Sequence, residues 1–300
     1  MRIASWWTAR SPMLRAALLM LLGAGCVALQ VSAVRFAIGT LHAFEIALFR
    51  NLIGFLVILP FLGRLGPSAL RTRQPFRLIT SSLGLYGAMI CWFLAVAEIP
   101  LAEAMALSFT KPLFATLGAA LILGELVRSR RWTAVVVGFA GVLVVLRPGA
   151  DAISPYALLM LLSALLLAGV ALQVKHMTKT ESATTIVLYQ SIFITLISLP
   201  LALLYWRTPT MTDMLLLLVI GTIGTVKELT TTRALALVDA SVVVAFEFLR
   251  LPLTALAAYI FFAEIPTIWI WTGGAVIFGA TAYIAHREMH ETSRTTAPEA

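Results

Sequence analysis

A lysine and a proline interrupt an apolar stretch in the first half of the sequence. The segment SFTKPLFATLGAALILGE, residues 108–125, places Lys111 directly before Pro112. A charge inside an apolar segment usually faces a cavity, a partner or a bound molecule, because a charge in hydrocarbon is costly. Pro112 removes one backbone donor and frees the carbonyl group one turn earlier, which can accept a hydrogen bond from a bound molecule. The pair therefore predicts a cationic site for a carboxylate or another anionic group.

A second cation stands close to a proline in the second half of the sequence. Arg250 lies two residues before Pro252, and Glu247 lies one helical turn before Arg250. Glu247 and Arg250 either pair only with each other or share a site with Lys111. In a shared site, the carboxylate of a zwitterion would meet Lys111 or Arg250, and its ammonium group would meet Glu247. Lys111 has no acid three or four residues away, so its partner must come from another helix or from a bound molecule.

The elements that position these charges are long apolar helices. Of the 300 residues, 60% are hydrophobic and 12% are charged, whereas a soluble domain is about 45 to 50% apolar. A membrane-spanning helix needs roughly 20 mostly apolar residues. The chain is therefore predicted to be an all-α integral membrane protein, and its short connections leave no room for a soluble domain. Ten transmembrane helices are predicted, at about residues 16–34, 43–62, 78–97, 101–123, 132–147, 154–174, 183–205, 213–236, 239–262 and 266–285.

The basic residues predict how the chain is oriented in the membrane. Lys and Arg accumulate in short cytoplasmic loops. With a cytoplasmic N-terminus, fifteen of the 22 Lys and Arg residues lie in inner segments, and three, Arg35, Arg147 and Arg207, lie in outer loops. We therefore expect a multi-pass protein of the cell inner (plasma) membrane with both termini in the cytoplasm. The net charge of +8 follows from this bias and does not indicate a nucleic-acid partner.

The sequence repeats itself with a period of about 140 residues. WTAVVVGF at residues 132–139 corresponds to WTGGAVIF at residues 271–278, and Pro112 corresponds to Pro252. Each half holds five helices, and because five is odd, the second half enters the membrane from the opposite face. The pattern predicts two inverted five-helix repeats around a central cavity, with a binding site near the midplane. The predicted units are a first repeat at residues 1–149, a second at residues 150–288 and a cytoplasmic tail at residues 289–300.

The motifs around these prolines resemble a known family. FLAVAEIPLAEA, KPLF, LILGE and WTAVVVGFAGVLVV follow one another between residues 93 and 145 and are echoed in the second half. This pattern is similar to that of the EamA branch of the drug/metabolite transporter superfamily, over almost the whole chain. The resemblance implies that spans 1–4 and 6–9 surround a central cavity and that spans 5 and 10 act as buttresses. It also implies a transporter of small metabolites.

The charges predict which metabolites such a transporter would carry. Cations outnumber acids among the deeper charged residues, which favours a zwitterionic or anionic substrate. The resembling branch includes exporters of aromatic and other amino acids and carriers of S-adenosylmethionine. We expect export of amino acids, including aromatic ones, by alternating access. Uptake or exchange of S-adenosylmethionine-like or phosphorylated metabolites is the alternative.

Further candidate residues lie in the same predicted helices. The hydroxyl group of Tyr86 needs a polar partner at its depth, and Trp92 could help to shape a pocket. Lys227 and Glu228 are adjacent and point in different directions, so one of the two could line the cavity. The predicted substrate-binding residues are Lys111, Arg250, Glu247, Tyr86, Trp92, Ser108 and Glu228, and the predicted hinges are Pro112 and Pro252.

Other charged residues are expected to have structural roles. Arg50 lies in the outer half of the second span and is expected to reach Glu45 or the membrane interface. Glu125 and Glu264 close two spans at opposite faces, where they would cap or bridge helix ends, with gating as the alternative. Small residues, GFAG at 138–141 and Ala275 with Gly279, are expected to allow close approach of helices, either within the bundle or in a dimer contact.

An enzyme or a channel fits the sequence less well. The four histidines fall at span ends or in tails, without the spacing of a metal site, and no serine elbow lies at depth. A channel would carry rings of like charge or a filter motif. We expect no catalysis, metal or cofactor. The expected partners are the lipid bilayer and a small molecule, and a monomer is expected, with a dimer as the alternative.

Overall fold

The computed structural model of the 300-residue chain consists of α-helices. It describes residues 11–62, 72–122, 129–147, 154–177, 180–181, 183–235, 237, 246–247 and 249–295, and no strand occurs in these ranges. The helices are α1 (Pro12–Ile38), α2 (Ala43–Leu62), α3 (Pro75–Glu98), α4 (Leu101–Ser108), α5 (Lys111–Ile122), α6 (Ser129–Leu146), α7 (Pro155–Met177), α8 (Ala183–Leu204), α9 (Met211–Leu235), α10 (Arg250–Phe262) and α11 (Ile268–Thr295).

These helices coincide with the predicted spans, with differences at four of them. α1 continues to Ile38 and α11 to Thr295, beyond the predicted ends at residues 34 and 285, so that part of the predicted tail is helical. The fourth span is divided into α4 and α5, and of the ninth span only residues 246–247 and 249–262 lie within the described residues. Within the described ranges, three helices are long and apolar enough to cross a membrane, at Pro12–Ile38, Pro75–Glu98 and Pro155–Val174. Shorter apolar helices occupy Trp132–Leu146, Leu188–Leu204, Arg250–Phe262 and Ile268–Tyr283.

Prolines define where several helices begin. Pro12, Pro75 and Pro155 are the first residues of α1, α3 and α7. The first turn of a helix has no acceptor for its backbone N–H groups, so a proline loses nothing there and its fixed φ suits the helix. Ser11 completes the start of α1, because its hydroxyl oxygen accepts a hydrogen bond from the backbone N–H of Leu14 at 3.3 Å.

Most helix contacts join the two halves of the sequence. α1 packs mainly against α9, α3 against α7, and α6 against α11. α2 contacts α8 and α9, and α10 contacts α1 and α4. Two buried apolar clusters fill the spaces between these helices. One surrounds Leu107 and Leu251, and the other surrounds Ile46 and Leu217.

Glycines allow α6 and α11 to approach each other closely. A Cβ atom added to Gly273 would lie 2.8 Å from the carbonyl oxygen of Gly141. The GFAG segment at 138–141 therefore lies at a helix contact, as expected. Ala275 and Gly279 take no part in this contact, because both are exposed and a Cβ on Gly279 would meet nothing within 4 Å. Their expected role in packing within the bundle is therefore wrong, while a role in a dimer contact stays a prediction. α11 turns the opposite face, which carries Gly273, toward α6.

Replacing Gly273 with alanine is expected to destabilise the folded protein by about 1–3 kcal/mol, because an added methyl group overpacks a close contact. Gly279→Ala adds the same methyl group on the exposed side of α11, so we expect no loss of stability there. Thermal unfolding of both purified variants in the same detergent measures the difference. Equal midpoints would contradict the close approach of α6 and α11.

Candidate functional site

The fourth predicted span is broken immediately before Lys111. α4 ends at Ser108 and α5 begins at Lys111, with a turn at Phe109 and Thr110. The backbone amides of these two turn residues bond to carbonyl groups three residues earlier, at 3.3 and 3.1 Å. Pro112 is the second residue of α5, a position where its missing N–H is tolerated. The lysine therefore opens a new helix inside the span, roughly 15 Å from the start of α4 at 1.5 Å per residue.

Two hydroxyl groups bond to backbone carbonyl groups next to this break. Thr281 of α11, which is 5% exposed, donates to the carbonyl oxygen of Phe109 at 3.1 Å. Ser108 donates to the carbonyl oxygen of Met105 at 2.6 Å. Pro112 removes the donor for the carbonyl group of Ser108, four residues earlier, so the bond from Thr281 to Phe109 stabilises the turn and does not fill the position that the sequence assigned to a bound molecule. Sequence reasoning missed Thr281, whose only signal is a hydroxyl in an apolar span.

Arg250 and Glu247 form an ion pair at the start of α10. Nη2 of Arg250 lies 2.7 Å from Oε1 of Glu247, and the side chains are 16% and 31% exposed. Direct pairing, one of the two interpretations of the sequence, is therefore present. It does not satisfy the whole guanidinium group, because Nε of Arg250 is enclosed without a hydrogen-bond partner in the described part of the chain.

Lys111 and Arg250 occupy corresponding positions in the two halves of the chain. Each is the first residue of a helix, with a proline in that helix's first turn. α4, which ends just before Lys111, packs against α10. Lys111 and Pro252 are both half-buried. The packing therefore places α4, which precedes Lys111, beside the helix that begins with Arg250.

The two aromatic candidates on α3 have different surroundings. Tyr86 is 6% exposed, and its hydroxyl group is enclosed with no hydrogen-bond partner among the described residues. Trp92 packs between the two apolar clusters, and its ring centroid lies 5.6 Å from that of Phe93. Tyr86 has an unused polar group, whereas Trp92 packs as a core residue. The side chain of Glu228 and the whole of Glu125 lie outside the described part of the chain.

Arg50 approaches α3 and does not pair with Glu45, so that part of the expectation is wrong, whereas its reach to the membrane interface stays a prediction. Its Nη1 lies 3.2 Å from the sulfur atom of Met89. Glu45 instead accepts hydrogen bonds from the backbone N–H groups of His42, at 3.1 Å, and Arg207, at 2.7 Å. Residues five apart on a helix lie on different faces, which explains why Arg50 and Glu45 have separate partners.

Glu264 joins three segments at one end of the bundle. Its carboxylate pairs with Arg35 of α1 and accepts a hydrogen bond from the backbone N–H of Leu101 at 2.9 Å. Arg35 also donates to the carbonyl oxygen of Ile99 at 3.3 Å, and its guanidinium carbon lies 5.1 Å from the ring centroid of Phe262. We call these contacts the Arg35–Glu264 tie. They hold the end of α1 to the α3–α4 and α10–α11 connections.

A cavity of about 350 Å³ lies beside this tie, and its lining includes Glu103, Arg147, Ser154 and Glu264. It is at the end of the bundle and does not include Lys111 or Arg250, so it is not the central cavity that the sequence predicts. Among the described residues, no three His, Cys, Asp or Glu side chains are grouped as metal ligands.

Secondary transporters often build their binding sites from interrupted helices. This bundle of apolar helices has cations at helix starts inside the spans, which is typical of that class. The model of the EamA-like transporter family matches residues 14–147 and again residues 154–285. The chain therefore belongs to the EamA-like transporter family, within the drug/metabolite transporter superfamily. It is an integral membrane protein and a transporter, not an enzyme.

Curated relatives carry three different names. An S-adenosylmethionine uptake transporter of Rickettsia bellii is 33% identical over 254 residues, which are 85% of this chain and 87% of the relative. A riboflavin transporter of Rhizobium johnstonii is 39% identical over 236 residues, 78% of each chain. A pseudopaline exporter of Pseudomonas aeruginosa is 32% identical over 247 residues, 81% of this chain and 86% of the relative.

A solved crystal structure also resembles the fold. It has a TM-score of 0.62 and 20% identity, and the match covers 91% of this chain and 96% of the other. At that identity the similarity concerns the fold alone.

Proposed function

We propose that this transporter recognises the α-amino-acid group of a small metabolite. The observation that carries the proposal is the partly exposed ion pair of Arg250 and Glu247. An α-amino acid presents a carboxylate and an ammonium group close together, so it can bind between these two charges. Lys111, at the start of α5, supplies a further cation for the carboxylate.

Two substrate classes contain this group. Free amino acids are the substrates that the sequence predicts, with export as the direction. S-adenosylmethionine also carries an α-amino-acid group, and it is named for a relative that covers most of this chain. The relatives therefore favour the alternative drawn from the sequence, while the site is compatible with both. Their names include uptake and export, so direction is left to the experiment.

Riboflavin is the second candidate substrate. The relative named for it is 39% identical to this chain. Riboflavin has no α-amino-acid group, so it would not bind between Arg250 and Glu247 in the same way. If riboflavin is the substrate, its main contacts with the protein would be made by apolar and aromatic side chains.

The proposed architecture is two inverted five-helix repeats around a central cavity. Under this relation α1 corresponds to α7, α3 to α9 and α6 to α11. The contact of α1 with α9 then corresponds to the contact of α7 with α3, and α6 packs against its own counterpart. The two matches of the family model, at residues 14–147 and 154–285, support the same division.

Alternating access gives the Arg35–Glu264 tie a role. In an inner membrane with both termini cytoplasmic, α1 runs outward and the tie lies at the outer face. The Arg35–Glu264 tie then closes the outer end of the helix bundle, and transport requires the tie to break. Pro112 and Pro252 are the proposed hinges, because each begins a helix that can turn relative to the preceding segment.

A substrate panel in proteoliposomes tests the proposed function. Radiolabelled S-adenosylmethionine, methionine, threonine, phenylalanine and riboflavin are offered to wild-type protein and to protein-free liposomes. We expect saturable uptake of at least one α-amino-acid compound, and we expect methionine to compete better than its methyl ester, which lacks the carboxylate. Riboflavin uptake without uptake or competition by any α-amino-acid compound would contradict the proposal.

A further inference from the structure

The cavity beside the Arg35–Glu264 tie contains a charge that the surrounding residues do not balance. Glu103, in the first turn of α4, lines this cavity of about 350 Å³. Its side chain is half-buried, and its carboxylate has no hydrogen-bond or ion-pair partner among the described residues. Such a carboxylate is unfavourable, because it loses part of its hydration without compensation. The position therefore favours a ligand that supplies a positive charge.

Glu103 is not needed to stabilise the start of its own helix. An acid in the first turn commonly interacts with the positive end of the helix dipole. At α4 another acid fills this role, because Glu264 accepts a hydrogen bond from the backbone N–H of Leu101 at 2.9 Å. The carboxylate of Glu103 is therefore available to a ligand.

The other charges that line the cavity are already accommodated. Glu264 pairs with Arg35. Arg147 is exposed, and its guanidinium carbon lies 5.3 Å from the ring centroid of Trp269. An exposed cation over an aromatic ring is stabilised without an acid. Of the charged groups in the described lining, Glu103 is thus the one that lacks a counter-charge.

The rest of the lining is mostly apolar. Val145, Ile265, Pro266 and Ile270 contribute to the walls. Sites for small molecules usually have volumes of about 300–1,000 Å³ and combine apolar walls with a few polar groups that fix the orientation of the ligand. A short alkyl chain that carries an ammonium group matches this combination, because the chain contacts the walls and the ammonium group donates to the carboxylate.

We propose that this cavity is a second binding site, in which Glu103 binds the ammonium group of a small amine or amino acid. In an amino acid, the carboxylate would face Arg147, which lines the same cavity. The site lies at the end of the bundle and includes neither Lys111 nor Arg250. That the transported molecule passes through it rests on the proposed function. The binding of an ammonium group at Glu103 does not.

Protection of a single cysteine in the lining measures the occupancy of this cavity alone. Ser154, which is half-buried in the lining, is replaced by cysteine after replacement of the native Cys26 and Cys91 by alanine. The rate of its reaction with a neutral methanethiosulfonate is measured against the concentration of butylammonium or of butan-1-ol, at constant ionic strength. We expect butylammonium to slow the reaction saturably, whereas the uncharged alcohol should have little effect.

Glu103→Gln in the same protein tests the role of the charge. It should raise the butylammonium concentration for half-maximal protection at least about tenfold, since a hydrogen bond between two charged groups is lost. The unfolding midpoint without amine should stay close to that of the parent protein, which would not hold for a carboxylate with a structural partner. Glu98→Gln makes the same change at an exposed position at the end of α3 and should leave the protection unchanged.

Methionine separates the two sources of the ammonium group. Protection by methionine that Arg147→Gln weakens, with protection by butylammonium unchanged, would assign the site to amino acids. Protection by butylammonium without protection by methionine would assign it to amines. Both results support the ammonium site at Glu103.

Equal effects of butylammonium and butan-1-ol, no protection by butylammonium, or unchanged protection with Glu103→Gln would overturn the proposal. If Glu103→Gln does not fold, the comparison of the amine with the alcohol in the parent protein still decides. Thr267→Cys, at an exposed position of the same lining, replaces the reporter if Ser154→Cys does not fold. Ammonium-dependent protection without transport of any α-amino-acid compound would contradict the proposed function alone.

Discussion

Replacing Lys111 with glutamine is expected to raise the Kd for the transported metabolite roughly 10- to 100-fold, because a hydrogen bond to a charged group contributes about 1.5–3 kcal/mol. Glutamine keeps a long polar side chain, so the substitution mainly removes the charge. Lys111 is half-buried at the first residue of α5, where the attraction of a carboxylate is less screened than in water. Equilibrium binding of the labelled substrate to purified protein measures the effect.

Two further variants define what this result means. Lys111→Arg keeps the charge and should retain most of the affinity, while Arg77→Gln loses a charge at an exposed position and should bind like the wild type. A Lys111→Gln protein that folds and binds substrate with unchanged Kd would refute the cationic centre. A loss of thermal stability with unchanged Kd would assign Lys111 a structural role.

Cross-linking positions 35 and 264 is expected to reduce transport to the level of protein-free liposomes. The experiment uses Arg35→Cys and Glu264→Cys together, after replacement of the native Cys26 and Cys91 by alanine, and a bifunctional methanethiosulfonate that spans the distance of an Arg–Glu pair. The cross-link keeps α1 attached to the α10–α11 connection. If alternating access requires these segments to separate, no substrate can pass until a reductant removes the link.

Each single-cysteine variant serves as the control for reagent effects. The same treatment should leave transport by Arg35→Cys alone and Glu264→Cys alone close to that of untreated samples. Recovery after reduction distinguishes a locked protein from a damaged one. Full cross-linking with unchanged transport would show that this end of the bundle does not open, and the Arg35–Glu264 tie would then be a static structural contact.

The positions of the helices were predictable because length and apolar composition decide them. The Lys-Pro pair indicated a hinge within the fourth span, but the division of that span into two helices was not predicted. The residue at which the first helix ends was not predictable. The charge of Arg35 predicts a helix that ends before it, whereas α1 continues to Ile38, because Glu264 supplies the charged partner.

Contacts between distant residues were the main part that sequence reasoning could not give. Arg35 and Glu264 are 229 residues apart, and their pairing depends on how the helices are rotated and packed. Arg50 illustrates the same limit, because its neighbour along the chain, Glu45, bonds to backbone N–H groups instead. The sequence identifies a charge in a span, but only the packed helices define what that charge faces.

The helix starts at Lys111 and Arg250 also have an electrostatic consequence. The amino-terminal end of a helix is the positive end of its aligned peptide dipoles, and basic residues are normally favoured at the other end. Each of these helices therefore combines a basic side chain with its own positive pole. At α10, Glu247 offsets the repulsion. At α5, a substrate carboxylate would be attracted by the side chain and by the positive end of the helix dipole together, so an arriving ligand would stabilise the broken span itself.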